Sequence, residues 1–211
     1  GYMKAAACAK HFAVHSGPEN LRHCFDAVVS KKDLWETYLP AFERLVVEEK
    51  VEGVMGAYNR VYGEPCCGSK TLMVDILRDE WGFQGHFVSD CWAIRDFHEN
   101  HKVTKNSTES AALALNTGCD ANCGCTYEYI LDALREGLIT EEAIDRSLIR
   151  LFTTRFLLGM FEPCEYDEIG YSEVESKEHI KLAKKAARKS IVLLKNNGIL
   201  PLDTKKSLAV V

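Results

Sequence analysis

The chain has 211 residues, enough for one good-sized domain or for one domain and part of a second. Hydrophobic residues make up 46% and charged residues 27%, the balance of an ordinary globular protein able to bury a core. A formal net charge of -5 argues against a nucleic-acid partner, which needs a basic stripe, and no apolar run approaches the ~18 residues of a membrane span.

Gly1 is not an initiator methionine and no charged-then-apolar leader precedes the first motif, so the N terminus is expected to be cut. Residues 3–14 form a small-residue and apolar run holding Lys10, His11 and Phe12. Ser30 then opens a helix as one half of a capping box with Asp33. Leu34, Tyr38, Phe42, Leu45 and Val46 supply its buried side, and Pro40 marks a kink or break. Residues 53–58 read as the next strand. Ser69 caps a helix with Leu72, Ile76 and Leu77 on its apolar face, and Gly82 stops it. Residues 86–88 are a short strand ending at Ser89 and Asp90.

Ser107 opens a further helix through Ala111 and Leu115, stopped by Gly118. Another helix is predicted over 127–137. A third is capped by Thr140, with Glu141 and Glu142 in its first turn and Ile144, Leu148, Leu151 and Phe152 as its core stripe. This alternation of strands and helices gives three or four strand–helix units of a parallel α/β protein, whereas a closed (β/α)8 barrel needs eight. Half a barrel is therefore expected to be missing. A polar connection follows over 161–176, then a helix over 177–195 whose Lys184, Lys185, Arg188 and Lys189 make a solvated face. Residues 207–211 read as a strand that stops midway, so the C terminus is also expected to be cut.

The nine cysteines are an odd count spread through the chain, which is not a secreted disulfide framework and slightly favours a reducing, cytoplasmic compartment. Cys119, Cys123 and Cys125 have C-x3-C-x-C spacing, but no second half of a zinc site accompanies them, so ordinary buried thiols or one local disulfide are expected and no metal. The pair Gly53 and Gly56 is too short for a nucleotide-cradling loop, and no cofactor is implied.

In a parallel α/β barrel, chemistry sits where strands end and their following loops begin. Three such places carry polar residues: Lys10 and His11, Tyr58 and Asn59, Ser89 and Asp90. Asp90 is the sharpest, because a carboxylate directly after a buried strand costs desolvation unless it is hydrogen-bonded or working. The bland alternatives are a loop cap for Asp90, a satisfied core-edge pair for Lys10 and His11, and simple packing for Tyr58.

The stretches KHFAVHSGPENLRHCFDAVVS, GVMGAYNRVYGEPCCGS, LRDEWGFQGHFVSD and ARKSIVLLKNNGILPL resemble, in order and spacing, the family 3 glycoside hydrolases. The resemblance covers essentially the whole chain. It implies an α/β fold that is the C-terminal half of a (β/α)8 TIM-like barrel leading into the start of an α/β sandwich domain. The barrel part would be 1–160, a linker and connecting helix 161–190, and the sandwich domain would begin at 191–211. It further implies a retaining exo-β-glycosidase with Asp90 as nucleophile. Lys10 and His11 would bind sugar hydroxyls, Tyr58 would contact the nucleophile and the ring, and Arg22 and His23 would follow in a loop near the site. The substrate would be a β-linked oligosaccharide or an aryl or alkyl β-glycoside, and the barrel's own remainder and a C-terminal domain would be its partners. The acid/base, usually a glutamate of the second domain, is expected outside the chain.

The cysteine after the nucleophile, Cys91, resembles the β-xylosidase branch, where it can pair with a cysteine about thirty residues on, here Cys123. Trp92 departs from the small or acidic residue often found there, which keeps a β-glucosidase close behind. The N-acetyl-β-glucosaminidase branch carries a K-H-F-P-G-H-G loop, of which residues 10–16 lack the Pro-Gly and the final Gly, though His15 is retained. Two readings from other classes stand beside these: a Schiff-base enzyme using Lys10, and a non-catalytic carbohydrate-binding module.

Overall fold

Among the described residues, short strands run at β1 (Cys8–Phe12), β2 (Asp26–Ala27), β3 (Gly53–Gly56), β4 (Arg60–Val61), β5 (Glu64–Pro65) and β6 (His86–Val88). The computed structural model that shows them describes residues 1–15, 17–203, 205–207 and 209. β1, β3 and β6 lie side by side in that order, all parallel, with Ala9 opposite Val54 and Val54 opposite Phe87. Val88 extends the series by a parallel bridge to Ala121. Parallel neighbours that succeed one another in the chain need covered crossovers on the sheet's faces. A second sheet, β2-β4-β5, joins the loops after β1 and β3.

The helices are α1 (Lys31–Asp33), α2 (Pro40–Val47), α3 (Asp96–Glu99), α4 (Ser107–Asn116), α5 (Ile130–Arg135), α6 (Glu141–Leu157) and α7 (Lys177–Ser190), with π-type helical segments at Leu34–Tyr38 and Lys70–Glu80. Their starts follow capping chemistry. Ser30, Ser69 and Thr140 accept from the backbone N–H groups of Asp33, Leu72 and Ala143. α4 begins at Ser107 as expected, with the Asn106 side chain capping it by accepting the Glu109 N–H. Pro40 is the first residue of α2, where its missing N–H costs nothing. Gly82 ends the Lys70–Glu80 helix with φ +67°, a conformation that favours glycine.

The core lies between sheet and helices around Phe12, Val54, Leu39, Leu72, Leu77, Phe87, Ile94 and Phe97, each under 2% exposed. Gly56 permits this closeness: a Cβ there would stand 2.6 Å from the Cys67 sulfur and 2.9 Å from the Phe87 ring. Beneath it, Asp120, with no exposed side-chain surface, accepts from Arg78 at 3.1 Å, Arg150 at 3.2 Å and the Phe87 N–H at 2.8 Å. That one carboxylate ties a helix, α6 and β6 together. Burial lowers Arg78 to about 10, with Asp120 opposing.

Two expected stripes are corrected. Leu45 is exposed and Leu39 is buried in its stead, because the π-type turn before Pro40 resets the helical phase. On α6, Ala143, Ser147 and Thr154 face inward, whereas Leu148 and Phe152 are exposed. Small side chains are what allow α6 close to the sheet, where Thr154 donates to Glu52 at 2.7 Å and meets His86 at 2.9 Å.

Residues up to Glu165 form one compact unit and Tyr166–Val211 another. In the second, Ser176 caps α7 through the His179 N–H. The helix ends at Ser190 rather than at Lys195, as the β-branched Ile191 turns extended with ψ 123°. Of the strand expected over 207–211, Leu208, Val210 and Val211 lie outside the described residues, and Ser207 and Ala209 are not in a strand.

Candidate active site

Because β1, β3 and β6 are parallel, their C-terminal ends open at one edge of the sheet, and there the predicted residues gather. Asp90 follows β6 and is 9% exposed. Its Oδ1 accepts the Cys91 N–H at 2.8 Å, its Oδ2 lies 3.4 Å from His11 Nε2, and the Tyr58 side chain lies close enough to feel its charge. Burial lowers the pKa of His11, with the charge of Asp90 opposing and those of Lys10, His15 and Arg22 adding to the fall. Burial and then the Asp90 charge raise that of Tyr58. A neutral imidazole and a neutral phenol thus face the carboxylate without cancelling its charge.

Lys10 does not join them. It is exposed, and among the described residues it makes no hydrogen bond or ion pair with Asp90. Of this pair, His11 is the side chain that meets the carboxylate. His15 bonds through Nδ1 to Asn59 Oδ1 at 3.3 Å, and Asn59, 2% exposed, donates to the carbonyls of Ala13 and Val14.

Arg22 and His23 both reach Tyr58. The Arg22 guanidinium lies 5.6 Å from the Tyr58 ring centroid, and the His23 ring meets it edge-on at 4.7 Å. Cys91 and Cys123 are disulfide-bonded, with their Cα atoms 4.5 Å apart. The loop is further closed by the Trp92 N–H donating to the Cys123 carbonyl at 2.6 Å, and by Ser89 Oγ accepting from Asn122 and from the Cys123 N–H. Cys123 is thereby taken out of the C-x3-C-x-C trio, while the buried Cys119 thiol bonds to the Ala121 carbonyl.

Residues 3–154 match the model of the glycosyl hydrolase family 3 N-terminal domain. The chain belongs to that family. It is 48% identical over 208 residues to a xylan 1,4-β-xylosidase of Xylanibacter ruminicola and 42% identical over 216 residues to a probable exo-1,4-β-xylosidase of Aspergillus clavatus. These alignments cover 95% and 98% of the chain but 24% and 28% of the two relatives, so the chain spans about a quarter of their length. Among solved structures it resembles a GH3 exo-β-xylosidase in complex with a xylobiose aziridine activity-based probe, with a TM-score of 0.88 and 32% identity over 96% of the chain and 27% of that protein. A β-glucosidase of Erythrobacter marinus gives 0.84 and 31%, over 93% and 27%.

One residue of this family 3 chain's site gave no sequence signal. Asp96, on the short α3, accepts from His23 Nδ1 at 2.7 Å and from Asn100 at 2.5 Å. It belongs to no strand end and to no quoted motif, and only the fold brings it 73 positions back to His23.

Proposed function

We propose that this chain is the nucleophile-bearing part of a retaining exo-β-glycosidase that removes terminal non-reducing β-D-xylosyl residues, with β-D-glucosyl residues as the second candidate. The observation that carries the reading is the meeting of His11, Tyr58 and Asp90 from three successive parallel strands in a family 3 chain. Asp90 attacks the anomeric carbon and forms a glycosyl ester as the aglycone leaves, and water then hydrolyses the ester with net retention. Buried and held by the Cys91 N–H, with Tyr58 beside it, it is oriented for attack. His11, Lys10, Arg22 and His23 bind hydroxyls of the sugar around it. The carboxyl group that protonates the leaving oxygen, about 5–5.5 Å from the nucleophile in retaining enzymes, comes from outside residues 1–211.

The order β1-β3-β6 followed by the bridge at Ala121 supports the further reading that 1–160 is half of a (β/α)8-type barrel, with 161–190 a connection and 191–211 the start of a sandwich domain. Xylose is preferred to glucose because the Cys91–Cys123 bond braces the loop beneath the sugar and leaves less room for a hydroxymethyl group. The two relatives' names point the same way. Incubation of the complete polypeptide with 2-deoxy-2-fluoro β-xylosides and β-glucosides tests the proposal. A stable sugar adduct on Asp90, formed faster from the xyloside, is expected; an adduct on another carboxylate sinks Asp90 as the nucleophile.

A further inference from the structure

Asp96 is a buried carboxylate, its side chain 5% exposed, sitting in the first turn of α3. A burial of this kind is costly without a compensating partner, and helix capping does not supply one, since no side chain caps α3. Its oxygens go instead to Asn100 and to Nδ1 of His23, whose own side chain is half exposed. An imidazole that donates from Nδ1 carries its lone pair on Nε2. The same ring packs edge-on against Tyr58, whose hydroxyl feels the charge of Asp90. A series of neighbours therefore runs from Asp96 through His23 to Tyr58, beside Asp90. Asp96 and Asp90 are six positions apart on one segment, which the Cys91–Cys123 bond holds down.

Resting on the glycosidase reading above, we propose that Asp96 is a positioning residue: it fixes His23 in the Nδ1–H form, so that Nε2 accepts a hydrogen bond from a hydroxyl of the bound sugar while the ring holds Tyr58 against Asp90. Asp96 itself touches neither substrate nor reacting atoms. The carbohydrate hydroxyl is identified by chemistry alone, as the donor that an exposed, oriented imidazole nitrogen would take at the edge of a carboxylate site.

Two measurements test this. Long-range proton–nitrogen correlation spectra of the chain at alkaline pH report which ring nitrogen of His23 is protonated, without any turnover. The Nδ1–H form is expected in the native chain and its loss in Asp96→Ala; an Nε2–H form in the native chain overturns the proposal. The second is a double-mutant cycle on kcat/KM for an aryl β-xyloside, in the complete polypeptide with active sites counted by fluoro-sugar labelling. Asp96→Ala and His23→Ala are each expected to lose on the order of 10- to 100-fold, and the double variant no more than His23→Ala alone. Asp96→Asn, which still accepts from Nδ1–H, should recover most of the loss. Additive losses, or native kcat/KM in His23→Ala, defeat the proposal. A native enzyme that turns over neither xyloside nor glucoside fails the glycosidase reading instead, and the spectrum alone then decides the role of Asp96.

Discussion

His11 and Asp90 stand 3.4 Å apart although their strands, β1 and β6, are not neighbours: β3 lies between them. Adjacent strands are about 4.8 Å apart, so two side chains lean over the end of β3 to meet. Each is thereby partly withdrawn from water, and the withdrawal that lowers the pKa of His11 keeps it uncharged beside the carboxylate.

That arrangement predicts losses of very different size for two variants. If Asp90 is the nucleophile as proposed, Asp90→Ala should lower kcat on the order of 10⁴-fold or more, with azide restoring turnover to a glycosyl azide of inverted configuration. His11→Gln keeps a hydrogen-bonding group and should cost on the order of tenfold in kcat/KM. His11 becomes cationic as pH falls through its lowered pKa and then partly neutralises Asp90, so the acid limb of the native profile should contain its titration and that of His11→Gln should not. Profiles that superimpose would remove His11 from the acid limb.

The buried Asp120 carries a structural prediction. Arg78 and Arg150 both bond to a carboxylate with no exposed surface, so Asp120→Ala strands two partly buried guanidinium groups and the Phe87 N–H. Breaking such a pair by removing one partner costs about 3–5 kcal/mol. Urea unfolding of Asp120→Ala should show that loss; a change below about 1 kcal/mol would mean that water reaches the arginines in the folded chain.

How much of this was readable before the fold was known depended on how local each signal is. Asp90, Tyr58 and His11 end or occupy strands, and a parallel sheet places strand ends together, so their meeting follows from sequence order alone. The caps Ser30, Ser69 and Thr140 were legible for the same reason, being local chemistry within one turn. Asp96 and Asp120 were not, because their partners lie 73 and 42 positions away and nothing in their neighbours marks them. The α2 and α6 stripes misled for a shared cause. Residue type identified an apolar position, while the face it took was set by the π-type turn before Pro40 and by the small residues that let α6 approach the sheet.

The Cys91–Cys123 bond closes a loop with a sequence separation of 32 residues. Loop-closure entropy at that length is worth about 3–4 kcal/mol. Reduction, or Cys91→Ser with Cys123→Ser, is expected to lower unfolding stability by about that amount. It should also slow labelling of Asp90, since the bond anchors the residue next to it. Equal labelling rates with and without the bond would assign it to stability alone.

His101 should make stability depend on pH. It is 4% exposed and stacked on Phe97 with ring centroids 6.2 Å apart. Burial lowers it to about 4; the charges of Arg60 and His23 add to the fall, and the His23 backbone and the Asp26 charge oppose it. In the unfolded chain the same side chain takes up a proton near the ordinary value of about 6.5. Between those two values the unfolded state binds more protons than the folded one, so stability rises with pH across that window. Equivalently, stability falls as pH drops from about 6.5 to about 4, by up to roughly 3 kcal/mol from this group. His101→Phe keeps the ring stack and removes the titration. Urea midpoints for the native chain and this variant should therefore separate as pH falls from neutrality to about 4.5, with the variant the more resistant at the acid end. Midpoints that fall in parallel would show that His101 meets water in the folded chain.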